Sequence, residues 1–265
     1  MEFTHKNWNY ICNLFHSDYK EINFNKIEFF KNKFLVIKHD VECNANAALK
    51  IAKIEHSYGI KSIFYVQFDV FESNVHVFNK IKDLGHYIGY HYDVLDANDG
   101  DHNLALESFT KHMDFFKSHG FDIQTICPHG NPIKIRSGWD SNRDFWTENV
   151  KRIYPNVFDI VVDLPLIRND YNYISDAGYS FSIISDIKKV NSTNQGLKTL
   201  DDFNSLIYSG SVILSTHPHR WYDSVVFFKL IRFRFIFIKF LALKLNKFSF
   251  FKTFINKFYF IAKKF

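Results

Sequence analysis

The chain lacks a disulfide framework. Its three cysteines, Cys12, Cys43 and Cys127, form no CxxC pair, and so odd and scattered a set excludes a stapled mini-domain. No acidic residue follows Asp223. No uncharged apolar run approaches the ~20 residues that a spanning helix needs. The opening residues, Met1-Glu2-Phe3-Thr4-His5-Lys6-Asn7, lack the apolar stretch of a signal peptide, so a cytoplasmic location is expected. Internal repeats and Gly/Ser linkers are absent as well.

What is present is a body of one large α/β domain's size, 265 residues of which 46% are hydrophobic. The aromatic fraction of 18% sits beside many Lys, Asn and Ile and reads as compositional bias rather than function. The net charge of +5 is segregated: residues 225–265 carry ten Lys and Arg, leaving a body of 23 basic and 28 acidic residues. That split predicts an acidic globular body with a basic, apolar appendage.

Residues 1–33 read as a helical lead-in. Strands are expected at 34–39, 62–66, 87–91, 123–127, 158–162, 181–184 and 211–215, with helices at 45–58, 75–84, 104–118 and 200–208 between several of them. Such alternation implies parallel βαβ units. At the end of the first strand stands His39-Asp40-Val41-Glu42. Alternate side chains of a strand share a face, so Asp40 and Glu42 can converge on one ion or one water. His91 ends the third strand, His129 follows the fourth and His217 follows the last. In a parallel barrel these points surround one cleft. A carboxylate with two imidazoles is the ligand set of an open catalytic Zn site.

Each residue also has a plainer reading. Asp40 and Glu42 fit a structural salt bridge with a Lys or Arg. His39 is expected to face the barrel wall and His86 to be structural. His219 and Arg220 read as solvated loop residues, as do the segments 140–146 and 173–178, the latter a polar turn whose alternative role is to present Asp176 to the cleft.

The chain resembles the NodB-type polysaccharide deacetylases, carbohydrate esterase family 4. It is most similar to their WbmS-like branch of surface-polysaccharide loci, which carries an HDVD-type first motif. The resemblance spans about residues 34–222 and implies a distorted (β/α)7 barrel at 34–224, with 225–265 as a basic, apolar helical tail. His39-Asp40-Val41-Glu42 stands at the family's Asp-Asp motif, which implies Asp40 as general base and Glu42 as metal ligand, or the reverse. Gly85-His86-Tyr87-Ile88-Gly89-Tyr90-His91 matches the segment whose last His binds metal. Ile213-Leu214-Ser215-Thr216-His217-Pro218 resembles the last motif, which implies His217 as general acid. Asp140 to Trp146 resembles the fourth. Two departures stand out. The usual second metal His is Leu95 here. The third motif, Cys127-Pro128-His129-Gly130, has lost its Arg and gained His129, which we read as the replacement ligand.

The implied activity is divalent-metal-dependent (Zn2+) removal of an N-acetyl group from a sugar or glycan precursor in O-antigen or capsule synthesis. Tyr90, Tyr92, Trp139, Trp146 and Trp221 are expected as a sugar-stacking rim. One competing reading is an inactive barrel that binds glycan or scaffolds a membrane-bound assembly complex. A hydrolase of O-acetyl or other amide bonds is another. In the tail, Lys229, Arg232, Lys239 and Lys244 span about 140° of a helical wheel, which Arg234 breaks. The alternatives are a helix packed on the barrel and an interfacial segment at the inner-membrane surface, where each basic residue adds roughly 1 kcal/mol. No nucleic acid is expected of so acidic a body.

Overall fold

The computed structural model describes residues 1–16, 32–131, 134–184, 195–196 and 200–245. Parts of the expected lead-in (17–31) and tail (246–265) lie outside the described residues. The described strands are β1 (Leu35–Val41), β2 (Ile63–Val66), β3 (Tyr87–Tyr92), β4 (Thr125–Pro128), β5 (Phe158–Asp159), β6 (Tyr171–Ser175), β7 (Ser182–Ile184), β8 (Gln195–Gly196) and β9 (Ser211–Thr216). The described α-helices are α1 (His5–His16), α2 (Ala45–Ser57), α3 (Phe68–Ser73), α4 (Val75–Asp83), α5 (Val94–Ala97), α6 (His102–Ser118), α7 (Glu148–Ile153), α8 (Leu164–Ile167), α9 (Leu200–Ser209) and α10 (Val225–Leu245).

The strands form one sheet in the order β5-β4-β3-β2-β1-β9-β6-β7-β8. From β5 to β6 all neighbours are parallel, which makes seven parallel strands; β7 and β8 add antiparallel. Among the described residues no pairing closes β5 onto the far edge. The sheet is nevertheless curled. Lys38 on β1 places its Nζ 3.1 Å from Cys127 Sγ on β4. Three strand spacings separate β1 from β4, about 14 Å on a flat sheet. The same ammonium lies 5.9 Å from the centre of the Tyr173 ring on β6, on the opposite side of β1. The architecture is thus mixed α/β, with a curled, mostly parallel sheet.

Strand alternation divides the apolar residues between two faces. Leu35, Ile37 and Val41 join the larger core, under the helices. Phe34, Val36, Ile63, Tyr65, Cys127, Tyr173 and Ile213 fill the concave inside. Gly89 is required there, because a Cβ at that position would lie 2.5 Å from the Tyr65 ring. Tyr65 can therefore cross the interior and bond Thr125 Oγ1 at 2.7 Å.

Two expectations need correction. The run 158–162 pairs only over Phe158–Asp159, because Asp159 Oδ1 accepts from the backbone N–H groups of Val161 and Val162 and turns the chain. The segment read as a polar turn from Tyr173 is instead the end of β6, a strand seated between β9 and β7, with the turn starting at Asp176. The lead-in is part of the body: Phe3, Trp8, Ile11, Cys12 and Phe15 are buried, and Thr4 bridges to Tyr222.

Candidate active site

Five strand ends converge. Asp40 is on β1 and Glu42 just beyond it; His91 lies on β3; His129 follows β4, Asp176 follows β6 and His217 follows β9. The centre is the Glu42 carboxylate. Its Oε1 is 3.1 Å from His129 Nε2, 3.7 Å from His217 Nε2 and 4.0 Å from His91 Nε2.

Two of the imidazoles are held from behind, and the third is positioned through its backbone. His91 Nδ1 donates to the Cys127 carbonyl at 3.0 Å, which leaves Nε2 with a lone pair facing Glu42. Burial pushes the His91 pKa down to about 3, so the ring is neutral near pH 7. His129 is set by its backbone: its N–H donates to the Tyr92 carbonyl at 2.7 Å and its carbonyl accepts from Asn142 Nδ2 at 2.9 Å. Asn142 is in turn bonded to Asp96, which also takes Arg136 and the Trp139 indole. His217 Nδ1 lies 2.6 Å from Asp176 Oδ1, and Asp176 is fully buried. Burial pushes the Asp176 carboxyl up, but His217 and Arg220 outweigh it and hold the group below its ordinary value.

Asp40 is bound differently. Lys38 Nζ contacts both its oxygens, at 2.7 and 3.0 Å, and Ser215 Oγ donates at 3.2 Å. Burial favours the neutral acid, yet Lys38, His91 and His217 together hold Asp40 far below the ordinary carboxylate range. The salt-bridge reading is therefore what the geometry has for Asp40, in the cleft rather than away from it.

Two described groups have donor atoms that all lie within 4.8 Å of one another: Glu42, His91 and His129, and Asp40, His91 and Cys127. The Lys38 ammonium touches both Asp40 and Cys127 of the second group, and a cation placed there would face a fixed positive charge. The first group holds no ammonium. Ligands around a tetrahedral Zn2+ sit ~3.3 Å apart, near the spacings seen at Glu42. The donor set fits a divalent ion of the Zn class. His217 belongs to neither group.

Other expectations fare differently. Leu95 is fully buried in the core and offers no ligand. His39 does face outward, bonding Thr216 Oγ1 at 2.7 Å and Glu55 Oε1 at 2.8 Å. His86 is a buried structural residue, bonded to the Ser62 backbone N–H and the Ala52 carbonyl. The aromatic rim does not form: Tyr90, Tyr92, Trp146 and Trp221 are core residues, and the Trp139 indole bonds Asp96. Neighbours two apart share a face, so Tyr90 and Tyr92 had to oppose His91. Arg220 is no free loop residue either: its Nη1 is 3.0 Å from His217 Nδ1, and its guanidinium packs over Tyr179. Of the two readings of the 173–178 segment, a solvated loop and a turn that presents Asp176 to the cleft, the structure has the second for Asp176; Asn142, in a segment expected as loop, is buried beneath His129.

Replacing Lys38 with methionine should cost about 3–5 kcal/mol in urea unfolding, because it strands a buried carboxylate. Asp40 stabilises the fold above its unfolded value of 3.8, and that contribution is lost as pH falls toward its depressed folded value. Acid unfolding of Lys38→Met should therefore begin at higher pH than in the wild type. A cost below about 1 kcal/mol would mean that Asp40 does not depend on Lys38.

No family model matches the chain, and no curated protein does. Among solved structures, a CE4 family pseudoenzyme from Bacillus anthracis aligns at 12% identity and TM-score 0.43, over 71% of this chain and 55% of that one. A family 4 carbohydrate esterase from Streptomyces lividans, in complex with acetate, aligns at 12% identity and TM-score 0.41, over 71% and 80%. The peptidoglycan deacetylase PdaC from Bacillus subtilis, as a mutant, aligns at 10% identity and TM-score 0.39, over 73% and 76%. This chain spans little more than half the length of the pseudoenzyme. At such scores the likenesses carry no argument, and the chemistry rests on the geometry above.

Proposed function

We propose that this protein is a metal-dependent carbohydrate N-deacetylase of the NodB type, acting on an N-acetylated sugar of a bacterial surface-polysaccharide precursor. One observation carries the reading: the Nε2 atoms of three imidazoles from three strand ends face one carboxylate oxygen, and one of those imidazoles is backed by a buried aspartate. Glu42, His91 and His129 would hold the ion. When bound, a divalent ion there would polarise the acetyl carbonyl and acidify a water. Asp40, ionised by Lys38, would take the proton of the attacking water. His217 would hand a proton to the leaving sugar nitrogen, so that amide and water give acetate and amine. Asp176 keeps the His217 Nδ1 protonated and Nε2 turned to the cleft. The proposal includes a cytoplasmic site of action, on a precursor rather than finished wall.

A second reading is a barrel that binds glycan without turnover. It draws on Asp40, whose bond to Lys38 makes it a weak base. Acetate release from N-acetylated sugars by the Zn-loaded protein separates the two. The first reading expects release that Asp40→Asn abolishes. Absent release from a protein holding one ion per chain would favour the second.

A further inference from the structure

Helix α10 is rooted in the body on one side and bare on the other. Phe228 is fully buried against Phe3 and Tyr179, and Phe235 packs on Tyr179 at 5.1 Å. On the opposite face Val226, Leu230, Phe233 and Phe237 recur at helical spacing, with relative exposures of 77%, 62%, 68% and 52%. Phe233 and Phe237 stack on each other rather than on the body. At 100° per residue these four fall within about 60° of arc, with Lys229 on one flank and Arg234 on the other. Both cations are exposed, Lys229 in a solvent-exposed pair with Glu2 at 3.8 Å, and the helix contains no acid. No described helix is long and apolar enough to cross a membrane.

An exposed apolar face edged by Lys229 and Arg234, on a helix that carries no acid, suits one partner chemistry, an anionic lipid surface: acyl chains take the apolar side chains and phosphates take the cations. A second copy facing the stripe would bring like charges together. A nucleic-acid backbone would leave the four apolar side chains without a partner.

The root of the helix touches the site. Tyr179, which holds Phe228 and Phe235, also lies under Arg220, and Arg220 reaches His217 Nδ1 and Asp176. We propose that α10 docks on anionic bilayers through Val226, Leu230, Phe233 and Phe237, which anchors the Glu42–His217 cleft at a membrane where a lipid-linked glycan would be its substrate. The choice of substrate rests on the deacetylase reading; the docking does not.

The test is sedimentation of the full chain with vesicles of equal parts phosphatidylglycerol and phosphatidylcholine, against phosphatidylcholine alone. Wild type should partition to the anionic vesicles. Phe233→Ser/Phe237→Ser should lose about tenfold or more in partitioning, and Lys229→Gln/Arg234→Gln should lose a similar share. Unchanged partitioning of the Phe233→Ser/Phe237→Ser protein, equal binding to neutral vesicles, or no binding by wild type would each overturn the docking. So would a wild-type dimer that this double variant dissociates. Acetate release from a soluble N-acetylated oligosaccharide keeps the two proposals apart. A double variant that no longer sediments but hydrolyses at the wild-type rate supports the docking and leaves the enzyme reading intact. Vesicle binding by a wild type that releases no acetate supports the docking and counts against the enzyme alone.

Discussion

A Glu42→Ala protein should come off gel filtration without its divalent ion, and His129→Ala should bind Zn2+ at least about 100-fold more weakly than wild type. Glu42 is the only anion shared by His91, His129 and His217 among the described groups. Without it, three neutral or cationic rings face one another, and nothing in the set balances a double positive charge. His129 is the sharper test. In the proposed ligand set it stands in for an imidazole that residue 95 does not provide, since Leu95 is packed in the core. Metal content by elemental analysis and a chelator competition give stoichiometry and affinity. Full affinity in His129→Ala would mean that His217 completes the ligand set, and the division of roles proposed above would fall.

The second large effect belongs to Asp176. Asp176→Asn should lower kcat by about 10³-fold, with KM and metal content close to wild type. The reason is hydrogen-bond direction. Asp176 Oδ2 accepts from the His217 backbone N–H at 2.9 Å and from the Trp221 indole at 3.3 Å. An asparagine must keep its oxygen there, so its NH2 faces His217 Nδ1. That ring nitrogen then becomes an acceptor, the proton moves to Nε2 of a neutral ring, and the acid is lost. His217→Ala should reach the same floor, and the double variant should fall no further. A fall in kcat that tracks a fall in metal content would assign Asp176 to site integrity instead.

The strand end at Asp40 was legible because an apolar run is followed by two acids in alternation, a pattern that packing does not ask for. His91, His129 and His217 were legible for the same reason, as polar groups at the ends of buried strands. What escaped depends on contacts that no local pattern encodes. Lys38 reads as an interruption in Val36-Ile37-Lys38-His39; only the curl of the sheet places it against Cys127 and Tyr173. The strand β6 that seats Asp176 is hidden because two tyrosines and an asparagine make a weak strand signal beside the Gly178 turn. Asn142 holds His129 across 13 positions of chain through a carbonyl. For Tyr90 and Tyr92, alternation about His91 on β3 already excludes a place on the rim.

Lys38 has a consequence for how the protein lives without metal. Its ammonium is a permanent counter-ion on the floor of the cleft, built into β1 and present from the moment the sheet forms. Asp40, buried in the cleft, is neutralised by the chain itself. On the metal-dependent reading proposed above, folding would then run to completion without the ion, and loading would be a late, reversible event at Glu42, His91 and His129. Proteins whose carboxylates have only the ion to balance them must wait for it; here scarcity of metal would silence the site while leaving an intact, stored population of chains.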